Sequence, residues 1–73
     1  MMNFERITHD EAFRSMAQSA ASMTGDDRKH IGGVLTALAN EASVKQIVEL
    51  DDYRALTTGA KMDVCDVIAA LEY

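Results

Sequence analysis

The sequence predicts an all-α fold, a small bundle of four to five short helices that we expect to be dimeric. Three stretches place apolar residues three or four positions apart, the spacing that gives a helix one buried face. The chain has no proline to interrupt a helix, and alanine, the strongest helix former, is frequent. We therefore treat residues 1–73 as a single helical domain, in which residues 1–7 form an N-terminal arm.

The first predicted helix follows a capping signal at Thr8. The run from Thr8 to Glu11 fits the capping box, in which the Thr8 hydroxyl and the Glu11 carboxylate each accept a hydrogen bond from the other residue's amide. The apolar stripe that follows consists of Phe13, Met16, Ala17 and Ala20. Gly25 adopts a left-handed conformation at little steric cost, so we expect it to end this helix.

The second predicted helix is capped by Asp26, which leaves a connection short enough to make the first two helices antiparallel neighbours. Its apolar stripe consists of Ile31, Val34, Leu35, Leu38 and Ala42. Gly32 and Gly33 each weaken a helix by about 1 kcal/mol relative to alanine. Either these glycines admit small residues of the first helix at close range, or the regular helix begins only at Val34.

A change of direction is predicted near residue 43, because continuing the second stripe would bury polar side chains. The run from Ser43 to Gln46 fits a second capping box and favours a new short helix with Ile47 inward. The spacing of Glu41 and Lys45 favours a continuous helix instead. Residues 50–56 then predict one or two further turns, capped by the aspartates at 51 and 52, with the side chains at 53 and 56 inward.

The closing helix, Gly59–Tyr73, has the clearest one-sided pattern. Its stripe consists of Ala60, Val64, Val67, Ile68 and Leu71. We expect this stripe to pack on that of the second helix, with Asp63 and Asp66 on the outer side. Cys65 lies at the margin of the stripe, and free cysteine is among the most buried residue types, so we expect it to be a packing residue.

The small size of the chain favours self-association. A domain of 73 residues buries only about 60 % of the surface that its unfolded chain exposes. One cysteine cannot form an intramolecular disulfide, and two histidines with that cysteine make a poor zinc site. We therefore expect a homodimer whose helices meet at the small residues Gly33 and Ala37.

The sequence argues against catalysis, cofactor binding and metal binding. It contains no phosphate-binding loop, no nucleophile elbow and no dinucleotide fingerprint. Asp51 and Asp52 could act as a general acid and base, but a small helical chain leaves little room for a substrate cleft. His9 and His30 lie among charged residues in first helical turns, typical of surface or capping residues. We predict no catalytic, cofactor or metal residue.

The same features favour a cytoplasmic protein that does not enter a membrane. No run of 18 or more apolar residues is present, and residues 1–10 lack the apolar core of a signal peptide. A net charge of −5 without a basic stripe makes the chain a poor ligand for phosphate backbones.

The acidic C-terminal half suggests a docking face for a protein with a basic surface. Its candidate partner-binding residues are Asp51, Asp52, Asp63, Asp66 and Glu72. The alternative is an ordinary solvated face that keeps the protein soluble. The methionines at 16, 23 and 62 are either core residues or part of an adaptable partner surface. We expect a small acidic, non-enzymatic regulator or inhibitor that binds another macromolecule.

Two alternatives remain open. Residues 43–59 resemble a helix-turn-helix, which reads DNA through its second helix, although the usual turn glycine is replaced by Asp51 and Asp52. Arg54 and Lys61 would be its basic residues. The other alternative is a structural subunit of a homo-oligomer.

Overall fold

The computed structural model describes residues 6–72, with side chains for 6–71, and this part of the chain forms five helices and no strand. The helices are α1 (His9–Ala20), α2 (Gly25–Ala39), α3 (Val44–Val48), α4 (Asp51–Arg54) and α5 (Thr58–Glu72). The all-helical prediction is confirmed. Of the expected arm, residues 1–5 lie outside the described residues, whereas the Ile7 N–H donates to the Ala70 carbonyl at 3.2 Å. Within residues 6–72, no helix is both long and apolar enough to span a bilayer.

Both predicted capping boxes are present. Before α1, the Thr8 N–H donates to Glu11 Oε1 at 3.0 Å and the Glu11 N–H donates to the Thr8 hydroxyl at 3.1 Å. These bonds hold the pKa of Glu11 below its usual value, with the Thr8 backbone amide as the largest cause. Before α3, Ser43 and Gln46 exchange the equivalent pair at 2.8 and 3.2 Å. The sequence therefore predicted the start of two helices from local chemistry alone.

One contiguous apolar core holds the helices together, and its largest fully buried side chains come from four of them: Met16, Val34, Leu38, Ile47 and Val64. The predicted stripes of α2 and α5 are buried or half-buried as expected. In α1 the innermost residues are Ala12 and Met16, with the rest of the predicted stripe half-buried. Met23 is also buried, so two of the three candidate methionines are core residues.

The stripes of α2 and α5 share one core, but α2 is not the main neighbour of α5 that we expected. The backbone of α1 lies close to both α2 and α5, α5 also approaches α3, and α2 also approaches α3 and α4. The central helix is therefore α1, which is the main neighbour of both α2 and α5. Hydrophobic stripes identify which faces are buried but not which pairs of faces meet.

The connection between α1 and α2 also differs from expectation. α1 ends at Ala20, because the chain then turns so that the Met23 N–H donates to the Ala20 carbonyl at 3.0 Å and Met23 enters the core. Gly25 does have a left-handed φ of +60°, but it begins α2 rather than ending α1. Asp26 lies in the first turn of α2 and is not its cap.

The second and third helices are separated by a Schellman-type end at Glu41. The Ala42 N–H donates to the Ala37 carbonyl at 3.0 Å and the Glu41 N–H to the Leu38 carbonyl at 3.1 Å. Glu41 has φ +59°, so the continuous-helix alternative is wrong and the new helix after Ser43 is confirmed. Glycine usually occupies this position, since a side chain makes the left-handed conformation costly.

Replacing Glu41 with glycine is expected to stabilise the fold. Removing the strain of the left-handed conformation should raise the free energy of unfolding by about 1–2 kcal/mol. The extra freedom of glycine in the unfolded chain should lower it by about 0.5–1 kcal/mol. The net gain of about 0.5–1 kcal/mol is measurable by urea unfolding. Glu41→Ala keeps the unfavourable φ and should show no comparable gain; an equal gain from alanine would show that the side chain, not the backbone, sets the cost.

Candidate functional site

The outer side of α5 is the most distinctive exposed surface of the molecule. It consists of Met62, Asp63, Cys65, Asp66 and Ala69, and we call it the outer α5 face. Met62 is 63 % exposed and is the one large hydrophobic side chain left exposed within the described residues. It stands out because the opposite side of α5 is committed to the core.

Two of the five predicted acidic residues lie on this face, and the others do not join them. Asp63 and Asp66 are both exposed and one helical turn apart. Asp51 is exposed on α4, and Glu72 has its side chain outside the described residues. The Asp52 side chain of α4 points to α2, because His30 Nδ1–H donates to its Oδ1 at 2.8 Å. The expectation that Asp51 and Asp52 cap α4 is wrong, since Leu50 takes the cap position without a side-chain bond.

The position of Asp52 explains why residue 33 is a glycine. A β-carbon added to Gly33 would overlap the Asp52 carboxylate and lie 2.9 Å from the Asp52 Cβ, so the absence of a side chain admits α4. The helical interpretation of the glycine pair is confirmed, although the close neighbour of Gly33 is Asp52 rather than the first helix. Ala37 is half-buried against the core. Contact between copies at these two residues stays a prediction.

Cys65 is not the packing residue that we expected. It is exposed, and its Sγ lies 3.2 Å from the Tyr53 hydroxyl, which joins α4 to the edge of the outer α5 face. The hydrogen bond to Cys65, together with partial burial, raises the pKa of Tyr53. A residue at the margin of an apolar stripe can be buried or exposed. Here the neighbour of Cys65 is the half-buried Tyr53 and not an aliphatic side chain.

A carboxylate of α2 fixes the start of α5. Asp27 accepts the Thr57 N–H at 2.9 Å and the Thr57 hydroxyl at 2.6 Å. These bonds, the hydroxyl first, hold the pKa of Asp27 below its usual value. The two residues are 30 positions apart, so no local sequence pattern predicts this contact. The contact sets where α5, and with it the outer α5 face, begins.

The clamp between Asp27 and Thr57 is expected to make the fold sensitive to acid. Because the folded-state pKa of Asp27 is lowered, its stabilising effect is complete above the ordinary aspartate value of 3.8 and disappears as the pH falls through the lowered value. Asp27→Asn should reduce stability at neutral pH and flatten the loss below pH 4. Unfolding measured between about pH 2 and 7 checks this, with Asp26→Asn as the neighbouring control. The same acid loss in both variants would rule out the clamp as its cause.

A groove of about 480 Å³ between the start of α1 and the end of α2 was not predicted. Apolar surface comes from Phe13, Leu38 and Ala39, and polar groups at its edge come from His9, Asp10 and Glu41. His9 Nε2–H donates to the Ala42 carbonyl at 2.9 Å and so ties the two helix ends together. The short connection after α1 was the available signal, since it makes the start of α1 and the end of α2 neighbours.

The described side chains include no group of three or more His, Cys, Asp or Glu residues placed to hold a metal ion. Comparison of the chain with protein-family models, with curated proteins and with solved structures found no match.

Proposed function

We propose that this protein is a non-enzymatic binding protein that docks a basic surface of a protein partner on its outer α5 face and so regulates or inhibits that partner. The observation that carries the proposal is an exposed methionine, Met62, beside the two exposed carboxylates of Asp63 and Asp66. An exposed apolar side chain beside two carboxylates is the combination that a basic protein surface can bind.

The two kinds of group on this face have different roles in docking. Met62 is flexible and polarizable, so it can fill a pocket of irregular shape and contribute most of the apolar burial. Asp63 and Asp66 contribute mainly to orientation and to the rate of encounter with a basic partner, because exposed charges steer association more than they add affinity. Burial of Met62 therefore supplies affinity, and the carboxylates select the partner.

Capture experiments with matched baits test the proposal. Immobilised wild-type protein is exposed to lysate of the native host, alongside the double variant Asp63→Lys/Asp66→Lys. The expected result is a protein that binds wild type at fixed stoichiometry and is lost from the double variant. Glu49→Lys is the control, because it reverses an exposed charge at the end of α3, outside the outer α5 face.

Equal recovery on all three baits would contradict the proposed face. Circular dichroism of each bait must show the same helix content, so that loss of binding reports the surface and not the fold. Raising the salt concentration should weaken capture by wild type, because screening removes the steering charges.

We also propose that the protein acts as a homodimer. A shallow groove between α1 and α2 supports it, since its walls include the small residues Ala17, Ala20 and Gly32, which permit close approach of another helix. Sedimentation at tens of micromolar should show a dimer, whereas a stable monomer at that concentration would reject it.

The helix-turn-helix alternative receives no support from the fold. Its second helix would be α4, which has four residues and begins with Asp51 and Asp52. One turn of helix presents few side chains to a groove, and two carboxylates at its start face a phosphate backbone unfavourably. The structural-subunit alternative has no observation of its own beyond the groove between α1 and α2.

A further inference from the structure

We infer that the groove between the start of α1 and the end of α2 receives a lysine or arginine side chain of the partner protein. This inference rests on the proposed function, because it specifies a second contact with the same basic partner. The groove lies near the C-terminal end of the outer α5 face: the Ile7 N–H donates to the Ala70 carbonyl, next to Ala69 of that face, and the groove begins with the residues that follow Ile7.

The groove matches the two-part chemistry of a long basic side chain. Phe13, Leu38 and Ala39 offer apolar surface for the methylene stem, in a space of about 480 Å³. Lysine and arginine bury such stems while keeping the charged group near water. A cation above the ring of Phe13 would gain further attraction from the aromatic face.

The charges around the groove favour a cation. Asp10 and Glu41 contribute carboxylates, and no lysine or arginine is among the described residues that line it. Arg14 bonds to Asp10 at 2.9 Å, but the side chains of that pair are 75 % and 71 % exposed. Exposed pairs of this kind hold weakly, so an incoming cation can compete for the carboxylate.

The partial charges of the two helix ends at the groove are also compatible with a bound cation. The end of α2 carries partial negative charge, and no basic residue stands in its last turn to offset it. The start of α1 carries partial positive charge, but Asp10 and Glu11 lie in that turn and offset it. The uncompensated end is therefore that of α2, which attracts a cation.

Glu41 presents its carboxylate from the turn that ends α2. Among the described residues it is the non-glycine residue with φ in the left-handed region, and it lies at the edge of the groove. Glycine or asparagine would adopt this conformation more easily.

A titration followed by amide NMR shifts tests the inference. The probe is Nα-acetyl-lysine N-methylamide, compared with the norleucine analogue, which has the same stem and no charge. The lysine probe should shift the amides of His9, Phe13 and Leu38 in a saturable way, and the norleucine probe should bind several-fold more weakly. Glu41→Gln, which retains the backbone conformation, should weaken the lysine probe by about two- to fivefold, whereas Glu49→Gln should leave it unchanged.

Equal binding of the two probes would assign the groove to apolar ligands and overturn the inference. Absence of saturable shifts at these amides would overturn it too. The double variant Asp63→Lys/Asp66→Lys leaves the groove intact, so its response to the lysine probe separates the two claims. A failed titration with partner capture intact rejects the groove alone, and a positive titration without partner capture rejects the outer α5 face alone.

Discussion

Replacing Met16 with alanine is expected to lower the free energy of unfolding by about 2–5 kcal/mol. Met16 is fully buried on α1, the helix that lies against both α2 and α5. Removing its side chain leaves a cavity at the centre of a thin core, and a small domain cannot collapse far to fill it. Since small domains have only about 5–15 kcal/mol in total, this one change should remove a large share of the stability.

The matched control is Met62→Ala, which removes the same atoms from an exposed position. Met62 is 63 % exposed, so its removal should change stability by less than about 0.5 kcal/mol. Urea unfolding of the two variants under identical conditions measures the contrast. Comparable losses from both methionines would show that α1 is not the centre of the core.

Replacing Gly33 with alanine is expected to destabilise the fold although alanine is the better helix former. The new β-carbon would overlap the Asp52 carboxylate and lie 2.9 Å from the Asp52 Cβ, so α4 itself must move, not only the end of a side chain. Overpacking costs about 1–3 kcal/mol, against a helix-propensity gain of about 1 kcal/mol. The displacement also breaks the hydrogen bond from His30 to Asp52, which leaves a net loss of about 1–2 kcal/mol.

Gly32→Ala should have the opposite sign. Apart from its adjacent residues and the helix's own backbone, nothing in the same chain lies within 4 Å of the position that a β-carbon on Gly32 would take, so within one chain the propensity gain of about 1 kcal/mol is unopposed. Thermal or urea unfolding of the two variants compares adjacent glycines in the same helix. Stabilisation by both substitutions would mean that α4 does not approach Gly33 closely.

The parts of the fold that the sequence predicted are those governed by local chemistry. Both capping boxes and the buried stripes of α2 and α5 follow from residues within four positions of one another, so they could be recognised without knowledge of the tertiary structure. The outward position of Asp63 and Asp66 follows from the same periodicity. Met16 lies within the apolar stripe of its helix and Met62 lies outside that of its own, and only this difference distinguishes the buried methionine from the exposed one.

What the sequence did not predict depends on contacts between distant residues. The closest approach of α5 is to α1, and this is decided by how five short helices share one core, which no single stripe determines. Asp52 bonds to His30 across 22 positions and Asp27 to Thr57 across 30, so each aspartate was assigned a local role or none. The groove beside Glu41 forms only because the start of α1 lies next to the end of α2. Cys65 lies at the margin of the apolar stripe of α5, where periodicity alone does not decide between burial and exposure.

The most direct test of the account is the affinity of the captured partner for the outer α5 face, measured by calorimetry on purified proteins. The account predicts that Asp63→Lys/Asp66→Lys weakens binding by at least about tenfold and reduces its dependence on salt, because two steering carboxylates have become repulsive. Glu49→Lys should bind like wild type. Unchanged affinity in the double variant, with its helix content intact, would contradict the assignment of function to this face.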